Sequence, residues 1–338
     1  IDFARNLPCV GTAGDLLAGT LAALAGQGPL AALLDHQGPE DGVAHRQAGA
    51  VWIGRLGLDA EAEHIALCNG AQQGIFVTLM ALLRPGDVHL TDALTYAPVK
   101  AMARHLALRI VALPSDGDGM TPDGIEAACK RWAPKALYCT PTLHTPTAVT
   151  MSDDRRRRIA ALAQRHGLVV IEDDVFGFLP PQRPPPIAAF APDTTILITS
   201  VSKSLAPGLR VGFIHAPERW MPAIRAAIAL SSWMPPPLMA EIATRWIGDG
   251  TAAQLAAAQR AHAARRQAMA QAILPGQAGE TAHGLHLWLR MPEHWSGEAF
   301  VMAAARAGVL LQPASAFAVD ETKPPAAIRL CLSHEVSD

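Results

Sequence analysis

The sequence has little charge, few cysteines and no long apolar run, and each shortage excludes a class of protein. Only 17% of its 338 residues are charged and the formal net charge is -2, so nothing attracts the whole chain to nucleic acid or anionic lipid. No apolar run approaches the roughly 18 residues of a membrane span. The five cysteines are odd in number and far apart, which favours reduced thiols. We expect a soluble, globular, cytoplasmic protein without a membrane partner.

The start of the chain and its scarce residue types also carry information. The chain begins at Ile1 rather than Met and has no secretory signal layout, so we expect a fragment of a longer protein. Lysine occurs five times and tyrosine twice, so a Lys or Tyr in a chemical setting is easy to isolate. With 50% hydrophobic residues, a chain of this length can bury a large core. Its length predicts about two domains.

Short apolar runs alternate with amphipathic stretches over residues 64–217, which predicts a mostly parallel sheet with helices on both faces. Seven strands are predicted, at 64–68, 87–90, 108–113, 136–139, 168–171, 195–199 and 211–214. A long helix at 252–273 then leads into a smaller α+β domain. The predicted division is an N-terminal arm and helix at 1–35, a large domain at 36–250 and a small domain at 251–338.

Two segments have plain structural interpretations. The proline-rich stretch 179–191 is most simply a surface loop. The run Arg155–Arg158 follows Ser152, a plausible helix N-cap, and charge runs of this kind usually form a solvated helix face.

The clearest chemical pattern is Ser200-Val-Ser-Lys-Ser-Leu-Ala-Pro-Gly-Leu-Arg-Val-Gly212. It follows an Ile- and Leu-rich strand, so Lys203 is predicted at the carboxyl edge of a buried sheet, where open α/β folds bind ligands. Desolvation there lowers a lysine pKa and favours Schiff-base chemistry. Ser200, Ser202 and Arg210 would form an anion cradle around it. An isolated Ser-x-Ser-Lys would more simply be a surface loop, but the attached Pro-Gly-Leu-Arg-x-Gly favours a site.

This segment resembles the lysine motif of fold type I aminotransferases, which use pyridoxal 5'-phosphate (PLP). Its second half is most similar to the aminotransferase-like domains of MocR regulators, a branch of the GntR family. The resemblance covers residues 40–332. It implies a fold type I PLP-dependent transferase with a seven-stranded sheet, a homodimer, and a Schiff base between Lys203 and the cofactor, with Lys203 later moving the proton.

A second segment, Asn69–Gly74, lies between a predicted strand and a predicted helix. Free N–H groups and the helix dipole at such an N-terminus favour a phosphate, although these glycines match neither the P-loop nor the dinucleotide fingerprint. The resemblance implies that Gly70, Ala71 and Gln72 form the phosphate-binding turn. Ser200, Ser202 and Arg210 would complete this phosphate-binding site.

Three residues have both a functional and a plain structural interpretation. Asp173 ends an apolar strand, where a buried carboxylate needs a cationic partner; the resemblance implies the cofactor's pyridinium N–H, and the alternative is a helix or turn cap. Tyr96 matches the aromatic residue that stacks on the cofactor ring in the family, and is otherwise an ordinary loop tyrosine. Arg329 resembles the arginine that binds the substrate α-carboxylate, and is otherwise part of a structural salt bridge.

The sequence departs from the family at two positions that concern one cofactor atom. The family places an Asn and a Tyr where this chain has Thr145 and Phe176, and both family residues hydrogen-bond the cofactor's phenolic oxygen. Phe cannot donate a hydrogen bond, and Thr has one hydroxyl on a shorter side chain. We therefore expect a raised pKa of the Schiff base and slower exchange of the lysine for a substrate amine.

Two functions remain open at this point. The first is a PLP-dependent aminotransferase that acts on an amino acid or amine and a 2-oxo acid. The second is a non-catalytic effector-sensing domain of a GntR/MocR regulator, whose DNA contacts belong to a domain absent from this chain.

No His-Glu-x-x-His, Cys-x-x-Cys or Gly-x-Ser-x-Gly pattern indicates a metal site or a serine hydrolase.

Overall fold

The computed structural model describes residues 1–9, 11–28, 30–36, 42–275, 283–320 and 324–333. Its helices are α1 (Ala13–Gln27), α2 (Val43–Gly54), α3 (Ala71–Leu82), α4 (Ala97–His105), α5 (Pro122–Trp132), α6 (Asp153–His166), α7 (Ile187–Phe190), α8 (Met221–Ser232), α9 (Pro237–Gly248), α10 (Thr251–Ile273) and α11 (Gly297–Arg306). Its strands are β1 (Ile65–Cys68), β2 (Val88–Asp92), β3 (Arg109–Leu113), β4 (Ser115–Asp116), β5 (Gly119–Met120), β6 (Ala136–Cys139), β7 (Val169–Asp173), β8 (Thr195–Ser200), β9 (Gly212–His215), β10 (His286–Arg290), β11 (Gln312–Pro313) and β12 (Ala327–Cys331). None of these helices could cross a membrane.

Seven strands form one sheet in the order β1-β9-β8-β7-β6-β2-β3. Neighbours from β8 through β3 are parallel, and β9 runs antiparallel to both β1 and β8. Apolar residues of α3, α4 and α8 cover one face, and those of α5, α6 and α7 cover the other. Burial on both faces explains why the strands read as nearly continuous apolar runs. The predicted seven-stranded, mostly parallel sheet is therefore confirmed.

The reversed strand β9 shapes the segment that carries the lysine motif. After β8 the chain turns back at the carboxyl edge of the sheet and re-enters it as β9. Ser200 pairs with Gly212, and the N–H of Val201 donates to the carbonyl of Val211 at 3.1 Å. This β8–β9 loop is therefore closed at its base.

Local signals account for the helix ends near the site. The Ser152 hydroxyl accepts from the N–H of Arg155 at 3.2 Å, as an N-cap does, and Gly167 ends α6 with a φ of 62°. Gly70 precedes α3 with a φ of 80°. A Cβ there would lie 2.9 Å from Nη2 of Arg210, so this position needs glycine for both its conformation and its space.

A second sheet has the order β10-β12-β11, with both pairs antiparallel. The N-terminal arm, residues 1–9, lies against it: Asp2 bridges Leu310, and the N–H of Cys331 donates to the carbonyl of Phe3 at 2.9 Å. The domain limits at 35 and 250 stay a prediction. Residues 37–41, 276–282, 321–323 and 334–338 of those ranges lie outside the described residues.

The predicted solvated helix face at Arg155–Arg158 is wrong for its first two residues. Arg155 pairs with Asp116 at 2.9 Å between Nη2 and Oδ2. The side chain of Arg156 is 0% exposed, and its Nη1 lies 3.9 Å from the buried Glu172 carboxylate. Carboxylates of the β4–β5 hairpin and of β7 therefore draw these two arginines inward, while the last two arginines of the run are exposed as expected.

The prediction of a plain surface loop at 179–191 is wrong for the end of the segment, while residues 179–186 form no helix or strand and are partly exposed. The segment ends in α7, whose first N–H groups, those of Ile187 and Ala188, donate to the Glu172 carboxylate at 3.0 and 2.9 Å. In its middle, Arg183 forms an ion pair with the buried Asp174. The carboxylates on and beyond the end of β7 thus hold the proline-rich segment against the sheet.

Candidate active site

One cavity of about 260 Å³ lies at the carboxyl edge of the seven-stranded sheet. β7 ends there at Asp173, β8 leads into Lys203, and α3 begins there at Ala71. Parallel strands all point the same way, so their ends meet at this edge. Eleven of the predicted site residues line the cavity: Ala71, Gln72, Tyr96, Thr145, Asp173, Phe176, Ser200, Ser202, Lys203, Arg210 and Arg329. Gly70, the twelfth, is not in the lining.

Lys203 is a buried amine in this cavity. Its Nζ donates to the backbone carbonyl of Asn6 in the N-terminal arm. Burial lowers the pKa of Lys203 to about 8, with the cations Arg329 and Arg210 acting in the same direction and the Asp173 carboxylate opposing them. About a tenth of this lysine is therefore neutral and nucleophilic at pH 7, a far larger fraction than for a lysine with the ordinary pKa of 10.5.

Asp173 is a buried carboxylate with one oxygen bonded and the other free of protein donors. Its Oδ2 accepts from the hydroxyl of Tyr138, a fully buried residue of β6, at 2.7 Å. Its Oδ1 is buried and has no hydrogen-bond partner among the described residues. Burial raises the pKa of Asp173 to about 7, although the Tyr138 hydrogen bond lowers it. A cationic N–H donor facing Oδ1 would remove this imbalance.

The start of α3 and the β8–β9 loop form an anion-binding end of the cavity. The first N–H groups of a helix have no partner within it and carry a partial positive charge. Nη2 of Arg210 donates to the carbonyl of Asn69 at 2.9 Å, which fixes the guanidinium at this helix start. The Ser202 hydroxyl is buried, and no described residue bonds it. These groups suit a phosphate.

Thr145 and Phe176 occupy another wall of the cavity, and both are buried. The Phe176 ring packs among Leu143, Leu179 and Leu285 and lies 6.1 Å from the His286 ring. This wall is therefore mainly apolar. The Thr145 hydroxyl is the hydrogen-bonding group that these two side chains bring to it.

Arg329 lies on β12 and faces the cavity from the smaller sheet. Its Nη2 donates to the carbonyl of Ala4 at 2.7 Å, its Cζ lies 4.8 Å from the Phe317 ring centroid, and its Nε is buried without a hydrogen-bond partner in the described chain. Within that part of the chain Arg329 forms no ion pair with a carboxylate. The guanidinium thus keeps binding capacity for an anion in the cavity.

Tyr96 begins α4 as its N-cap residue and lines the cavity from the side of β2. Its hydroxyl donates to Oε1 of Gln72 at 3.2 Å. This contact joins the aromatic ring to the first turn of α3, next to the anion-binding end.

Several residues of this site have no place in the sequence-based prediction, and Asn6 and Tyr138 are two of them. Asn6 lines the cavity, and its Nδ2 lies 3.1 Å from Nδ1 of His286. No motif in the arm pointed to it. Tyr138 carried a usable signal, because a tyrosine in an otherwise apolar strand needs a partner for its hydroxyl. No cluster of three potential metal ligands occurs in the described ranges.

The model of the family described as aminotransferase class I and II matches residues 38–338. The chain belongs to this family. Among its relatives, YdeF, an uncharacterised HTH-type transcriptional regulator of Bacillus subtilis, is 35% identical over 288 residues, which cover 84% of this chain and 62% of YdeF. The mitochondrial kynurenine/alpha-aminoadipate aminotransferase of Rattus norvegicus is 27% identical over 293 residues, covering 80% and 69% of the two chains.

Solved aminotransferase structures share the fold. LysN, an alpha-aminoadipate aminotransferase from Thermus thermophilus complexed with N-(5'-phosphopyridoxyl)-L-leucine, superposes with a TM-score of 0.89 at 24% identity, covering 98% of this chain and 87% of LysN. An archaeal alanine:glyoxylate aminotransferase superposes with a TM-score of 0.90 at 23% identity, covering 98% and 86%. The predicted fold type I architecture is confirmed. The chain spans less than two thirds of the length of YdeF.

Proposed function

We propose that this chain is a PLP-dependent aminotransferase domain that takes the amino group of an amino acid or amine and delivers it to a 2-oxo acid. One observation carries the proposal: in a member of the aminotransferase family, the buried amine of Lys203 and the buried carboxylate of Asp173 line the same cavity. When bound, PLP supplies an aldehyde for attachment to an amine and an electron-withdrawing ring.

The cavity residues fit this cofactor. The free Oδ1 of Asp173 would accept the ring N–H, and the ion pair would keep that nitrogen charged. The start of α3 would bind the phosphate together with Ser200, Ser202 and Arg210. Tyr96 would pack on the ring face. Each of these groups is polar, charged or aromatic in the way its assigned part of the cofactor requires.

The substrate is held by groups on the other side of the cavity. Arg329 has a free Nε and a planar guanidinium, which suits two parallel hydrogen bonds to a carboxylate. We therefore favour an α-amino acid over a simple amine. Lys203, with its pKa near 8, would take a proton from the substrate α-carbon and return it to the cofactor.

A second function has specific support. YdeF and TauR, both described as HTH-type transcriptional regulators, cover 84% and 78% of this chain, which is what a sensing domain of a MocR-type regulator would show. Such a domain would bind PLP and an effector amine without turnover. Its DNA contacts would belong to a segment outside this chain. The apolar wall at Thr145 and Phe176 favours weak turnover as well.

We also propose a homodimer. Leu230 and Trp233, at the end of α8, are 81% and 62% exposed, and Leu34 is 87% exposed. Large apolar side chains with this exposure favour burial against a second copy.

The test of the proposed function is the absorbance spectrum of PLP-loaded protein while amino acids and amines are added one at a time. A working aminotransferase converts the cofactor to pyridoxamine phosphate and releases an oxo acid. A cofactor band that shifts and then stays, with no oxo acid, supports the sensing domain instead. A spectrum that no amine changes would contradict both functions. Lys130→Ala, which alters an exposed lysine, is the control for protein handling.

A further inference from the structure

A second cavity, larger than the candidate active site, lies between α2, α10 and the segment that follows β7. Its volume is about 460 Å³, within the range of small-molecule sites. Three of the described residues that line it are arginines, Arg55, Arg183 and Arg260, and none of them is acidic. Apolar surface from Trp52 and Phe178 makes up part of the wall. This arginine cavity has no role in the function proposed above.

Arg183 is the buried member of the set, with 9% of its side chain exposed. Its Nη1 pairs with Asp174 and its Nε donates to the carbonyl of Pro184 at 3.2 Å. Its Nη2 is buried and has no hydrogen-bond partner in the described ranges. The guanidinium fits because residue 177 is glycine, since a Cβ there would overlap Nη1. The chain thus makes space for a buried cation and leaves one of its donors unused.

The other two arginines bond only neutral groups. Nη1 of Arg260 donates to the carbonyl of Phe178 at 3.2 Å. Nη2 of Arg55 donates to the carbonyl of Ile247 at 3.4 Å, and its Cζ lies 5.7 Å from the Trp52 ring centroid. Neither arginine has a carboxylate partner among the residues that the structure describes. Arg155, by contrast, pairs with the Asp116 carboxylate.

The charges of the arginine cavity therefore do not balance. Three guanidinium groups meet a single carboxylate, that of Asp174, which leaves an excess of two positive charges around one concave space. Guanidinium groups are weakly hydrated and bind carboxylate and phosphate oxygens through paired N–H donors. A ligand with two negative groups would satisfy both the charge and the unused donors.

We propose that the arginine cavity is a second binding site, separate from the cofactor cavity, for a small anion that carries at least two carboxylate or phosphate groups. Arg183 supplies the buried contact, and Arg55 and Arg260 hold the charged groups nearer the entrance. Arg183 already contacts Asp174, the neighbour of Asp173. A bound anion would therefore contact Arg183, whose partner Asp174 is the sequence neighbour of Asp173 in the cofactor cavity.

The test is calorimetric titration of the PLP-loaded protein with citrate, succinate and pyrophosphate at constant ionic strength. The bound cofactor occupies the phosphate end of the active site, so that end does not compete for pyrophosphate. We expect saturable binding that weakens about tenfold or more in Arg55→Gln and in Arg260→Gln, since each removes one charge-assisted contact. Arg158→Gln, an exposed arginine of α6, should bind like the parent.

Two further variants separate the alternatives. Arg329→Gln should keep the binding; if it abolishes binding while Arg55→Gln does not, the anion sits in the active site and the proposal fails. Ala253→Glu adds a carboxylate to the wall of the arginine cavity without removing an arginine, and should also weaken binding. Absence of saturable binding of all three anions would likewise overturn the proposal. Melting temperatures of the variants confirm that each is folded.

Discussion

On the Asp173 side of the candidate active site, a buried carboxylate is backed by the Tyr138 hydroxyl at 2.7 Å. In another part of the lining, Thr145 contributes one hydroxyl and Phe176 an apolar ring. The first side can stabilise positive charge on a ring nitrogen, and the second can do little for negative charge on a ring oxygen. On the proposed function, this chain would keep what is needed to hold the cofactor and withdraw electrons, and would have less of what speeds exchange of the attached amine.

Removing Lys203 should have the largest effect, because on the proposed function both sides of the cavity act on a cofactor attached to this lysine. In Lys203→Ala we expect no covalent attachment and no turnover. Borohydride reduction of the loaded protein followed by mass spectrometry measures this, since only an attached cofactor becomes permanently bound. A retained cofactor mass in the variant would refute the assignment of Lys203. Lys130→Ala should label like the parent.

The pH dependence of attachment should show the next largest effect. Only the neutral amine attacks an aldehyde, and burial lowers the pKa of Lys203 to about 8. Well below that pH the neutral fraction falls about tenfold for each unit, so attachment should slow by roughly 50-fold between pH 8 and pH 6. Stopped-flow absorbance of cofactor-free protein mixed with PLP measures the rate. A midpoint near 10.5 would mean that the lysine is solvated.

Tyr138→Phe removes the hydroxyl that donates a hydrogen bond to the Asp173 carboxylate. Loss of this hydrogen bond raises the pKa of Asp173. A larger fraction of the Asp173 side chain is then protonated, and so uncharged, near pH 7. A hydrogen bond to a charged group contributes about 1.5–3 kcal/mol, so PLP affinity near pH 7 should fall about 10- to 100-fold. Fluorescence titration measures it. Tyr96→Phe, which keeps the ring and removes the other tyrosine hydroxyl, is the matched control, and equal losses in both variants would contradict the assignment.

Phe176→Tyr adds a hydroxyl to the apolar wall formed by Thr145 and Phe176, and should have the smallest effect. A new hydroxyl donor facing the cofactor oxygen is worth about 1 kcal/mol, which corresponds to a downward shift of nearly one pH unit in the titration of the bound cofactor's absorbance. Phe178→Tyr makes the same change in the wall of the arginine cavity and should leave the titration unchanged. An unshifted midpoint in Phe176→Tyr would show that this wall does not face the cofactor oxygen.

The sheet and most of the cavity could be predicted from the sequence because their signals are local. Each of the seven strands is a short apolar run, and parallel strand ends collect residues that lie far apart in sequence, such as Asp173 and Lys203, at one edge. The β4–β5 hairpin was not predicted, because strands of two residues carry no periodicity.

The remaining differences come from contacts between distant parts of the chain. Arg156 belongs to a run of charges that normally faces solvent. Its burial depends on hydrogen bonds to backbone carbonyls such as that of Pro141, at 2.9 Å, and on the approach of the Glu172 carboxylate of β7. Asn6 reaches the cavity because the arm pairs with β12 and with Leu310, and nothing in the arm's own sequence encodes that path. Sequence patterns describe one element at a time, whereas these positions depend on two.

The β8–β9 loop has a kinetic consequence. Its base is closed by the Ser200–Gly212 pair and by the hydrogen bond from Val201 to Val211, and it carries both Lys203 and Arg210. On the assigned roles, the covalent anchor of the cofactor and a clamp on its phosphate belong to one short unit of chain. Local opening of that unit would loosen the phosphate and expose the covalent attachment to water in the same event. Cofactor loss would still need water to hydrolyse that attachment, so its rate should rise as this loop becomes less stable.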